Sequence, residues 1–308
     1  VLHQLWTWVF EPGFFSSSPV HVALVIGGVV AAVSAVTGVF TVMRGQSFGG
    51  HALGDVSAAG GSGALLAGLN PLLGFVGMSI AGAGVMDMIG VRRVRGRDLA
   101  TGIVLGAAIG LSALFLYLTS VTGATTGAPT QILFGSIFTV TSDTIPLVVI
   151  LGVIALAGIA VAWRPLLLTT VSPDIAAARG TPVRLTGLLF MLALALSVAL
   201  SSLAVGAILS TALLVGPAAT ALRLIKATGR AVAIACLIGV GATWLGVLLA
   251  YDSYYWGASH QGLPVSFFIV AVIFAGYLLS GLAAPLTAAR RRPPVAPRAA
   301  APTERIAA

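Results

Sequence analysis

The chain has 308 residues, 58% of them apolar and only 8% charged, with a mean hydropathy of +1.07. A soluble domain of this length needs a charged surface, and these residues cannot build one. The net charge of +8 would suit nucleic acid, but the excess sits in short windows between long apolar runs, where it sets membrane topology, so nucleic acid is excluded as a partner.

Residues 1–19 read as an interfacial segment: they lack the basic start of a signal peptide and carry Trp6 and Trp8, which suit a membrane surface. A spanning helix takes about 20 mostly apolar residues. That length predicts spans near 20–43, 48–69, 71–90, 99–119, 144–163, 185–205, 207–222, 231–250 and 264–284. Basic residues stay on the cytoplasmic side. Arg44 therefore makes the first span run inward, with the N-terminus external. The second runs out and the third returns to Arg92, Arg93, Arg95 and Arg97. The same alternation puts Arg164, Arg179, Arg184, Arg223, Lys226, Arg230 and Arg290–Arg292 inside.

Residues 120–142 are too polar to face lipid and are expected as an outer loop or a re-entrant piece buried in protein. The seventh span holds Gly216 and Pro217 and is expected to be disturbed there. No internal repeat is evident. The expected fold is an all-α polytopic bundle of eight or nine transmembrane helices over 20–284, followed by a disordered basic cytoplasmic tail, rich in Pro, Ala and Arg, over 285–308. The lone cysteine, Cys236, rules out an internal disulfide.

The candidate chemistry lies in the second span. His51 and Asp55 stand four apart, on one face of a helix. One imidazole nitrogen and one carboxylate oxygen can grip a divalent zinc, manganese or ferrous ion. An Asp in the middle of a membrane helix costs roughly 2.5–3.5 kcal/mol on insertion scales. Intramembrane ionisable residues mark functional sites; the alternative is a His–Asp hydrogen bond that only fixes helix contacts. Gly54, Ser57, Ala58 and Gly61 surround the pair and suit close helix packing or an ion path.

Elsewhere, Asp87 is expected to pair with Arg92 or Arg93, and Asp98 to cap the fourth span. Asp252 and His260 fall in an outer loop with Tyr251, Tyr254, Tyr255 and Trp256, an interfacial belt. The single lysine, Lys226, follows Leu-Ile, so no phosphate-binding loop exists. Any ATP hydrolysis is expected in a separate chain, and the chain is not expected to be an enzyme or to hold a cofactor.

Several runs together carry a resemblance. They are Arg44 to Phe48, then Gly50-His51-Ala52-Leu53-Gly54-Asp55-Val56; Leu133-Phe134-Gly135-Ser136-Ile137; Trp163-Arg164-Pro165-Leu166-Leu167, followed by Pro173-Asp174-Ile175-Ala176; and Gly206 through Ala221. In order and spacing the chain resembles the membrane permease of bacterial ABC importers for zinc, manganese and iron, over most of 20–284.

The resemblance implies a type II importer half in the bacterial cytoplasmic membrane. Two permease copies would pair, two ATPase subunits would dock below, and an extracytoplasmic solute-binding protein would deliver the ion, which is substrate rather than cofactor. The family's transmembrane Asp and His ligands fall on His51 and Asp55 with the residue types exchanged, which keeps one nitrogen and one oxygen ligand on the same face. The family's ATPase-coupling element falls on 215–226, with Val215, Gly216, Pro217, Ala218, Ala219, Thr220 and Arg223 as its residues. A metal chelate or vitamin as substrate, or an ion-coupled carrier working without an ATPase, are the alternatives.

Overall fold

The computed structural model describes residues 13–89, 97–122, 127–135, 137–256 and 262–289. It is all-α, with no strand among the described residues. The helices are α1 (Ser18–Met43), α2 (Ser47–Leu66), α3 (Pro71–Ile89), α4 (Arg97–Val121), α5 (Ala128–Phe134), α6 (Ile145–Val161), α7 (Trp163–Val171), α8 (Pro173–Ala178), α9 (Val183–Val205), α10 (Ala207–Leu224), α11 (Thr228–Ser253) and α12 (Val265–Ala289). Each of the nine expected spans coincides with one long helix. Eight of these are both long and apolar enough to cross a membrane. The ninth, α2, is diluted by glycine, serine, His51 and Asp55. It can sit at membrane depth because α3, α4, α9 and α10 pack around it.

α1 and α9 are the most enclosed spans, and α4 and α6 the least. α1 lies against α11, α10, α6 and α9. Three devices draw these helices together. The first is glycine at crossings: a Cβ on Gly38 would run into the Leu214 carbonyl, and Gly60 and Gly74 would each strike the other's carbonyl oxygen. Small residues are what let membrane helices approach this closely. The second is a buried hydroxyl contact, Ser34 Oγ to Ser201 Oγ at 2.7 Å, which joins α1 to α9. The third is apolar packing, with Phe40, Leu53, Met86, Phe190 and Leu194 all fully buried.

The segment between α4 and α6 is built into the protein. Ile132 of α5 and Ile137 of the following 3-10 turn are buried. Gly135 (φ 75°) and Gly206 (φ 90°) meet backbone to backbone, where a side chain on either would clash. Residues 127–135 and 137–142 thus form a short helix and turns anchored to the bundle through Ile132, Ile137 and Gly135. The expected disturbance at Pro217 is corrected: α10 is continuous through it. A proline removes one backbone hydrogen bond, but buried contacts at Leu214, Ala218 and Ala221 hold the helix on both sides of the lesion.

The short helices α7 and α8 occupy the arginine-bearing connection between α6 and α9. Arg44, which caps the end of α1, donates from Nη1 to Thr169 Oγ1 at 3.0 Å and stacks over the Phe190 ring at 5.1 Å. Phe40 and Trp163 meet edge to face at 5.1 Å. Val42 and Met43 pack with Ala218, Ala221 and Ala231. The ends of α1 and α10 and the starts of α7 and α11 therefore share one end of the bundle, and the described Lys and Arg residues gather there.

Candidate functional site

α2 begins after Gln46 and carries Gly49 and Gly50 in its first turn, so its start is slim. A Cβ on Gly50 would meet Leu214 Cδ2 at 2.8 Å, and one on Gly54 would meet Ser210 Oγ at 3.0 Å. Those glycines let α10 close onto α2. On the other flank α4 packs along α2, and Ser112 Oγ reaches the Asp55 carbonyl oxygen at 3.5 Å. His51 and Asp55 lie on the strip of α2 between these neighbours, His51 partly exposed and Asp55 largely covered.

His51 Nε2 stands 3.8 Å from Asp55 Oδ2, and the two side chains are 42% and 14% exposed. That separation is too long for a hydrogen bond. Two ligand atoms 2.0–2.2 Å from one zinc ion stand about 3–3.5 Å apart, so a small side-chain movement would let both reach a shared cation. His51 Nδ1 lies 3.0 Å from Thr211 Oγ1 on α10. Thr211 escaped the sequence reading because nothing in its local pattern distinguishes it from the other hydroxyls of that helix. Among the described residues no third His, Cys, Asp or Glu joins the pair to form a cluster that could hold a metal. Ser57 and Ala58 are buried in helix packing, and Gly61 lies against the Phe75 ring.

The expected coupling residues divide into two groups. Pro217, Ala218 and Thr220 are buried inside the bundle, and Val215, Gly216 and Ala219 are half-buried. Gly216 accommodates Ile273 of α12, whose Cγ2 a Cβ would strike. Arg223 lies at the surface, with its guanidinium over the Tyr277 ring at 5.1 Å. Lys226, Gly229 and Arg230 are exposed around the α10–α11 turn. The exposed residues of this segment are therefore Arg223, Lys226, Gly229 and Arg230.

The remaining candidates sit apart from the site. Asp252 is buried at the far end of α11. Near it Tyr251 stacks edge to face on Phe14 at 5.3 Å, and Trp256 on Phe268 at 5.8 Å, a belt at the end opposite the arginines. Asp98 falls in the first turn of α4. The pairing of Asp87 with Arg92 or Arg93, His260, residues 1–12 and the tail from 290 lie outside the described residues.

The sequence matches the ABC 3 transport family over residues 18–282. It is 28% identical over 268 residues to the manganese transport system membrane protein MntC of Listeria monocytogenes, covering 87% of this chain and 94% of that protein. It is 27% identical over 236 residues to the high-affinity zinc uptake system membrane protein ZnuB of Haemophilus influenzae, covering 75% and 88%. The structure superposes on PsaBC from Streptococcus pneumoniae, solved in complex with Fab, with a TM-score of 0.76 and 26% identity, covering 89% of this chain and 94% of that one.

Proposed function

The chain belongs to the ABC 3 transport family, and we propose that it is the permease through which a divalent transition metal enters the cytoplasm, driven by ATP hydrolysed on a separate chain. It is a multi-pass protein of the cytoplasmic membrane and a transport subunit rather than an enzyme. The observation that carries the metal reading is the His51–Asp55 pair, held 3.8 Å apart on a helix enclosed by its neighbours, with His51 partly exposed. Ionisable side chains within a membrane-spanning segment are expensive, and by default they mark a functional site. A bare ion suits this pair better than a bulky chelate.

Two side-chain ligands are too few for a closed structural zinc site, which takes four. Incomplete coordination suits transit, because the ion must also leave. Water, backbone carbonyls or a second copy of the chain would supply the remaining ligands. Manganese and zinc both accept this ligand set, and the names of the relatives include both metals.

The ATPase would dock on the basic edge at 223–230, and the solute-binding protein on the opposite end of the bundle. There a cleft of about 400 Å³ is lined by Asn70, Gln131, Thr141 and Thr144 among others. The test is uptake of radiolabelled manganese and zinc into proteoliposomes containing the permease and its partners. Uptake that needs the ATPase and is lost in His51→Ala and Asp55→Ala supports the reading. Uptake that persists without any ATPase would instead mean an ion-coupled carrier.

A further inference from the structure

We propose that Thr211 is the positioning residue of the metal site: its hydroxyl holds the His51 ring so that Nε2 is free for the ion, and ties the site to α10. The inference rests on the metal reading of His51 and Asp55 given above.

The geometry is specific to this hydroxyl. α10 carries three hydroxyl side chains. Ser210 donates to the Ala207 carbonyl at 2.8 Å and Thr220 to the Gly216 carbonyl at 2.8 Å, both within their own helix. Thr211 instead reaches across to His51 Nδ1 at 3.0 Å. A histidine that ligates a metal must be neutral and present a lone pair. With Nδ1–H donating to Thr211 Oγ1, the lone pair falls on Nε2, the nitrogen nearer Asp55 Oδ2 at 3.8 Å. Such outer partners fix the tautomer and the orientation of a ligating ring, and losing one costs about 10–100-fold in metal affinity.

The placement also connects the site to the basic edge. Thr211 and Arg223 lie on one continuous helix, 12 residues and therefore about 18 Å apart along its axis. A shift or rotation of α10 that broke the Thr211 bond would release the ring and weaken the site. Motion of the edge at 223–230 would in this way be felt by the ion.

The experiment uses the purified permease–ATPase complex, titrated with manganese and followed by the loss of the free-ion paramagnetic resonance signal. Thr211→Val, nearly isosteric but without the hydroxyl, is expected to weaken manganese binding about 10–100-fold. Thr211→Ser, which restores the hydroxyl, is expected to stay within about threefold of the parent. If Thr211→Val does not reach the membrane, Thr211→Ala serves in its place. Parent-like binding by the hydroxyl-free variant, with binding lost in His51→Ala, would overturn the role of Thr211 alone. Equal weakening by the valine and serine variants would also overturn it, since the methyl packing and not the hydroxyl would then matter. Parent-like binding by His51→Ala would remove the site itself and this inference with it.

Discussion

His51 and Asp55 are separated by a gap rather than joined by a bond, and this decides what their loss should do. If the pair were a structural hydrogen bond, truncating either side chain would leave an unsatisfied polar partner and a less stable helix. At 3.8 Å the pair itself has no such bond to lose, and the one bond that His51→Ala removes, to Thr211 Oγ1 at 3.0 Å, leaves a hydroxyl that can turn to a carbonyl of its own helix. His51→Ala and Asp55→Ala each make α2 more apolar, so both variants should insert and pair normally while metal uptake falls by at least about tenfold. The double exchange His51→Asp with Asp55→His keeps one nitrogen and one oxygen ligand on the strip and should retain measurable uptake. Radiolabelled manganese flux, normalised to permease in the membrane, reads both outcomes. Parent-level flux in both alanine variants would leave the pair with no transport role.

The helices approach one another where glycine permits it, and the crossings differ sharply in tolerance. Gly60 and Gly74 face each other across α2 and α3. An added methyl on either must separate the helix that carries the site from one of its two principal neighbours. Gly60→Ala should cost about 1–3 kcal/mol, the usual penalty of overpacking. Gly106 on α4 has open space where its Cβ would go, so Gly106→Ala should be neutral or stabilising by up to about 1 kcal/mol, as expected for a helical glycine. Gly206→Ala combines an extended positive-φ backbone (φ 90°, ψ 157°) that only glycine adopts readily, worth roughly 1–3 kcal/mol, with a clash against the backbone of 133–135. It should be the most destabilising of the three. Thermal unfolding of the detergent-solubilised protein ranks them, and a Gly106 variant less stable than the Gly60 variant would contradict this account of the crossings.

The whole bundle is polarised by charge. Its described Lys and Arg residues gather at one end, and the positive-inside rule makes that end cytoplasmic. With Cys236 replaced by Ala, Ser142→Cys should react with a membrane-impermeant maleimide in intact cells, while Arg230→Cys should react only after permeabilisation. Both positions are exposed in the fold, so accessibility reports sidedness rather than burial, and the reverse pattern would invert the topology. The same end should bind the ATPase. Lys226→Glu with Arg230→Glu should reduce co-purification of the ATPase by about tenfold, because opposed charge at an interface acts on association. Arg223 is left intact in this test because it packs on Tyr277. Undiminished co-purification would move the docking surface elsewhere.

The spans, their alternation and the candidate ion pair were legible in the sequence for a physical reason. A bilayer imposes a length of apolar chain and a sidedness of positive charge, and both are one-dimensional properties. The i, i+4 spacing of His51 and Asp55 is likewise local. Three features required the tertiary structure, because each depends on what a neighbouring helix supplies. Pro217 suggests a broken helix, yet α10 runs through it because contacts with other helices compensate for the lost backbone bond. The polar stretch around Gly135 is anchored to the bundle because Gly135 meets Gly206, a partner 71 residues away in sequence. Thr211 reads like any helical hydroxyl until α10 is laid against α2, where it alone of its helix's hydroxyls turns to His51.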